Sequence, residues 1–181
     1  MFQPTNKILR RQTLTRQTAH TLLKIGEQEV RTTPVLYTAR LIVRRLYARD
    51  DINDALACLW FVRHNVKYQR DPRDIELVFG PVEMIRLIKY HGGFSEDCDS
   101  KALLVYALVR ALGIRARLVC AGFTPGSDRL DHVFTQIYYE GKHPFSYNGL
   151  WLTLDPTLDP RFTNYMCQKA QWIEFFDPET Y

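Results

Sequence analysis

Apolar residues recur at three- and four-residue steps through Val35, Leu36, Ala39, Ile42, Val43 and Leu46, with basic residues between them. That spacing predicts an amphipathic helix, and Pro34 stands in its first turn, where a missing N–H does no harm. A second helix is expected from Asp50 or Asp51, acidic residues suited to a helix N-terminus. Its apolar positions are Ile52, Ala55, Leu56, Leu59, Trp60, Val62 and Val66, and Pro72 in "YQRDPRD" breaks it. A short helix runs from Pro81 to about Tyr90 and stops at "HGG", because glycine readily takes the left-handed conformation that closes a helix. The fourth helix spans Cys98 to Leu112. It is apolar on most sides, which predicts a central, buried element, and Gly113 closes it.

After Gly113 the period changes. "IRARLVCAGF" alternates, "HVFTQIYYE" is β-branched and aromatic, and "LWLTLDP" repeats the pattern, so three strands are expected. The intervening "TPGSDRLD" and "GKHPFSYNG" carry turn residues. Helices followed by an antiparallel meander define an α+β domain. Residues 1–33 are rich in Thr, Gln and Arg with weak periodicity, and are read as a basic arm. The domain then covers 34–160, with its core at about 50–160. Residues 161–181 hold Trp172, Phe175 and Phe176 without a clear period, and are read as an aromatic tail that packs on the domain or on a partner.

Composition adds little to this picture. At 181 residues, with 46% hydrophobic and 24% charged, the chain is long and apolar enough for one core. No apolar run approaches the roughly 18 residues of a membrane span, and "MFQPTNKILRRQTLTRQ" lacks the apolar segment of a secretory signal. Cys58, Cys98, Cys120 and Cys167 lie far apart. They read as free thiols in a reducing compartment such as the cytoplasm, and no metal or cofactor is expected from their spacing. The net charge of +4 conceals an asymmetry: residues 1–49 sum to +8 and the remainder to −4. The basic segment reads as a protein-docking or solvated surface rather than a nucleic-acid site, because no recognisable module accompanies it.

The candidate chemistry lies at element ends. Cys98 stands at the start of the central helix, His132 opens a strand, and Asp155 closes the next one. A helix N-terminus favours a thiolate, a neighbouring imidazole can take its proton, and a carboxylate on the other ring nitrogen fixes the tautomer. Backbone N–H groups at the same helix end can face a developing oxyanion. Asp97 and Asp99 oppose this, since like charge raises a thiol pKa unless they are turned elsewhere. Asp97 or Ser95 is expected to cap the helix. Asp155 has a second reading as a turn residue before Pro156, and Asp159 is its backup. Tyr68, Tyr90 and Trp60 fit either the cleft or the core. The oxyanion donor is open between the Cys98 N–H and an upstream side chain. Cys58, Cys120 and Cys167 read as packing residues, and His20, His64, His91 and His143 as surface or loop residues.

"GGFSEDCDSKALLVYALVRALGIRARLV", "DHVFTQIYY" and "WLTLDPT", in that order, resemble the transglutaminase-like superfamily, a papain-related cysteine fold. "WFVRHNVKYQRDP" resembles the lead-in of that family. The resemblance covers about residues 50–160 and implies Cys98 as nucleophile, His132 as base and Asp155 as its orienting acid. It also implies a peptide or protein amide as substrate. Glu96 and Ser100 depart from the family's G-D-C-D-D. The look is closest to short proteins of this family encoded by tailed phages and prophages, which implies a virion association and assembly partners for the arm and tail. Two functions therefore stand: cysteine-dependent acyl transfer on an amide, or a scaffold in a larger assembly that keeps the triad idle.

Overall fold

The computed structural model of the chain describes residues 6–10, 16–47, 50–70, 75–125, 131–140, 149–158 and 169–179. Its centre is helix α5 (Cys98–Ala111), in which every residue from Cys98 to Val109 is buried. Around it stand α1 (Arg16–Val30), α2 (Thr33–Val43), α3 (Asp51–Asn65) and α4 (Pro81–His91). A four-stranded antiparallel sheet packs on another side of α5. It comprises β5 (Ala116–Gly122), β6 (His132–Tyr139), β7 (Leu150–Leu154) and β8 (Trp172–Phe176), in the order β7-β6-β5-β8. Two small pairs complete the fold. β1 (Asn6–Arg10) runs antiparallel to β3 (Ile75–Phe79), and β2 (Val66–Tyr68) runs parallel to β4 (Phe94–Glu96).

The four expected helices and three expected strands are present, and the fold is α+β as the pattern required. The signals act as read. The Asp50 carboxylate accepts from the Asn53 N–H at 2.7 Å and caps α3. Pro81 sits in the first turn of α4, and Gly92 closes that helix at φ 70°.

The differences lie at the ends. Residues 16–30, inside the stretch read as an arm, form α1, and Ala19, Leu22, Leu23 and Ile25 join the main core. These residues do recur at helical spacing, but the Thr, Gln and Lys between them hid it. Gly26 lets α1 approach closely, since a Cβ there would stand 3.0 Å from the Leu103 and Tyr106 side chains. Within the stretch read as a tail, residues 172–176 are β8, paired in register with β5 from Leu118↔Phe176 to Gly122↔Trp172. β2 and β4, three residues each, are too short to show a period, and β1 and β3 were not foreseen either.

The sheet turns Leu118, Cys120, Val133, Ile137, Leu154 and Phe176 toward α5. On its other face Arg117 lies between the Trp151 and Phe175 rings, 3.8 Å from each centroid, and donates to Gln136 Oε1. Across the core, Thr135 Oγ1 donates to the Ala102 carbonyl at 2.8 Å. This buried bond pins β6 along the helix and fixes where the first residue of the strand falls relative to the first turn of α5.

Candidate active site

Cys98 is the first residue of α5 and is 9% exposed. Two ties hold this turn. The Phe79 N–H donates to Ser100 Oγ at 3.0 Å, joining β3 to the helix start, and Lys101 Nζ donates to the Val66 carbonyl at 2.7 Å, joining β2. Asp97 occupies the N-cap position with extended backbone, yet its side chain makes no capping bond, which corrects the expected cap. Its buried Oδ1 has no hydrogen-bond partner among the described residues. Asp99 is fully buried beside it.

Burial pushes the Cys98 thiol well above its ordinary range, and the charges of Asp99 and then Asp97 push it further. A hydrogen bond from the Val133 N–H to the sulfur works the other way and is outweighed. Burial and both carboxylates thus favour the protonated form of the thiol.

Val133 follows His132, so that bond sets the sulfur against the start of β6. His132 is buried, and its Nε2 lies 2.6 Å from Asp155 Oδ2. Asp155 is 1% exposed. Its other oxygen, Oδ1, accepts from the Thr157 N–H at 2.8 Å and Thr157 Oγ1 at 2.7 Å. The two readings of Asp155, partner of the imidazole and turn residue, therefore describe one side chain with an oxygen for each. Burial alone would raise its pKa, but the bonds from His132 and Thr157 lower it below the usual carboxylate value.

Of the residues singled out from the sequence, His132 and Asp155 are in direct contact, and Cys98 is tied to β6 through the Val133 N–H; Asp159, Cys167 and His143 lie outside the described residues. Cys58 and Cys120 are buried, free thiols. His20, His64 and His91 are exposed. Trp60, Tyr68 and Tyr90 are 58%, 54% and 67% exposed, so none belongs to the core. Lys101 was missed. It lies one turn beyond Cys98, 3% exposed, with its pKa lowered to about 8 by burial first and by Arg63 second, against the opposing charge of Asp155. A lysine in an apolar helix face was the available signal, since such a residue needs a partner.

For a metal, the group of close ligand atoms among the described residues is Asp97, Cys98 and Asp99, all within 4.8 Å of one another. Two carboxylates and one thiolate from consecutive residues are not the His- and Cys-rich set that zinc selects.

Residues 41–156 match the profile of the transglutaminase-like superfamily, and the chain belongs to that superfamily. Among solved structures it is similar to a candidate cysteine protease from Cytophaga hutchinsonii, at 18% identity and a TM-score of 0.49 over 95% of this chain and 58% of that one. It is also similar to a candidate protease from Parabacteroides distasonis, at 11% identity and a TM-score of 0.48 over 77% of this chain and 30% of that one. The chain therefore spans less than two thirds of the length of either. No curated protein matches it. Among the described residues no helix is long and apolar enough to cross a membrane.

Proposed function

We propose that the chain catalyses cysteine-dependent acyl transfer on an amide, with Cys98 as nucleophile, His132 as base and Asp155 as the group that orients and stabilises the imidazole. The observation that carries this reading is the buried His132–Asp155 bond of 2.6 Å beside a sulfur that accepts from the Val133 N–H. A protonated resting thiol calls for general-base catalysis. Its proton passes to His132 as the sulfur attacks the carbonyl, and Asp155 stabilises the imidazolium that results. The imidazolium then protonates the leaving amine, and a thioester remains on Cys98. Water completes proteolysis or deamidation, whereas a second amine completes a cross-link. Hydrolysis is favoured, because the sequence offers no second substrate site.

Cys98→Ala tests the reading. The wild-type chain is expected to release a burst of p-nitrophenolate from p-nitrophenyl acetate and to gain an acetyl group on Cys98 by mass spectrometry. A Cys98→Ala chain with an undiminished burst sinks it.

A second reading, a scaffold within a larger assembly such as a virion, is favoured by the raised and buried thiol. The residues it assigns to docking are the basic segment 1–49 and residues 161–181. It expects Cys98 to be blocked to iodoacetamide until the chain unfolds.

A further inference from the structure

The face of the sheet turned away from α5 holds a cation that the proposed chemistry does not use. Arg117 projects from β5 between Trp151 of β7 and Phe175 of β8, its guanidinium carbon 3.8 Å from each ring centroid. At that distance the rings cover both faces of the planar group, so a further molecule can meet only its edge. One edge is taken: Nε and Nη2 donate to Gln136 Oε1 at 3.0 and 2.8 Å. Gln136 is 8% exposed, and its own Nε2 donates to Thr153 Oγ1 at 3.2 Å, which fixes the amide. That amide oxygen carries no net charge, so it orients Arg117 without neutralising it. Asp177 and Glu179 serve Arg115 instead, at 3.1 and 3.0 Å from its nitrogens. Burial is the first influence on Arg117 and lowers its pKa; Asp177 opposes through space, and the like charge of Arg115 adds to the lowering. Among the described residues no carboxylate is bonded to Arg117, and the residue is partly exposed.

We propose that Arg117, clamped by Trp151 and Phe175, is a binding site for a carboxylate carried on an apolar group, the chemistry of an aromatic residue at a peptide chain end. The Nη1–Nη2 edge offers two parallel N–H groups, which match the two oxygens of a carboxylate. Phe175 is 48% exposed and Trp151 partly so, and these rings take the apolar part. The rings and Gln136 hold the guanidinium in one place before a ligand arrives, so little side-chain freedom is lost on binding. Gln136 follows His132 by four residues, about 13 Å along an extended strand, which separates this site from Cys98. The proposal is therefore independent of the acyl-transfer reading.

Trp151 reports on the site because it touches the guanidinium. Titration of the full chain with N-acetyl-phenylalanine is expected to give a saturable change in tryptophan fluorescence, and N-acetyl-phenylalanine amide is expected to give none. Trp151→Phe keeps a ring against Arg117 and is expected to abolish the signal, which separates it from Trp60 and Trp172. Arg117→Met is expected to weaken binding, followed by calorimetry, at least about tenfold, the scale of a lost hydrogen bond to a charged group. Arg117→Lys keeps the charge and the stem between the rings but not the planar fork, and is expected to weaken binding by a smaller factor. Equal responses to acid and amide, no saturable response to the acid, or a signal that survives Trp151→Phe overturns the site. Unchanged affinity in either Arg117 variant does the same, and inorganic phosphate that displaces the acid at equal concentration overturns the choice of a carboxylate.

Discussion

The carboxylate of Asp155 divides its two oxygens, one 2.6 Å from His132 Nε2 and the other shared by the N–H and hydroxyl of Thr157. Asp155→Asn keeps an oxygen for Thr157 and loses the charge that faces the imidazole. The variant is expected to fold and to acylate from p-nitrophenyl acetate at least about 100-fold more slowly, as loss of a triad carboxylate does elsewhere. The lowered native pKa adds a stability signature. In acid the unfolded chain binds a proton that the native carboxylate resists. This contribution is therefore full above the unfolded pKa and lost as the pH falls below it. Denaturant titrations between pH 5 and about 3 are expected to show a shallower acid loss in the variant than in the wild type.

Alkylation of Cys98 reads its raised pKa directly. The wild-type rate is expected to keep climbing with pH beyond 9.0, where an ordinary thiol levels off. Asp97→Asn removes one of the charges that raise it and is expected to move the profile to lower pH. Peptide mapping separates Cys98 from Cys58, whose thiol burial and Asp54 push up to about 12. A profile that levels off near pH 7 contradicts the electrostatics described for this helix start.

Lys101 predicts a pH effect of opposite sense to the usual one for a paired base. Its native pKa of about 8 lies below the ordinary 10.5, so between these values the unfolded chain holds more protons. Stability from this group therefore rises with pH across that window, by up to about 3 kcal/mol. The stability difference between wild type and Lys101→Met, followed by urea unfolding from pH 7.5 to 10.5, is expected to change in favour of the wild type. A difference that stays flat shows that Lys101 titrates normally in the fold.

Gly93 combines φ 132° with a position where a Cβ would stand 2.9 Å from the Asn65 carbonyl oxygen. Both the backbone conformation and the close approach exclude a side chain. Gly93→Ala is expected to cost about 1–3 kcal/mol, seen as a lower urea midpoint at unchanged slope. Because Gly93 precedes β4, which leads into Asp97 and Cys98, the burst rate is expected to fall as well.

The parts legible in the sequence were those with a long period or a strong terminus. α5 announced itself by its apolar run, α3 by its acidic cap, α4 by its proline and glycines, and β5, β6 and β7 by alternation. The candidates Cys98, His132 and Asp155 were legible because each marks an element end and falls in a block that resembles the superfamily. α1 was obscured because its buried stripe is narrow and lies among polar residues. The exposure of Tyr68 and the burial of Lys101 depend on the β2–β4 pairing, a three-residue contact between segments nearly thirty residues apart, which no local pattern records. The raised thiol follows first from its burial and then from the nearness of Asp99 and Asp97, and these are properties of packing rather than spacing.

β8 has a practical consequence for anyone cutting the gene. A recombinant fragment trimmed to residues 41–156, the stretch that carries the family signature, would discard α1 and β8 together. It would leave one side of β5 as an unpaired edge and open the apolar surface that Leu22, Ile25 and Phe176 cover. Such a fragment is expected to precipitate. The smallest piece worth expressing begins before Arg16 and ends after Phe176, and the evolutionary unit and the folding unit of this chain are therefore of different lengths.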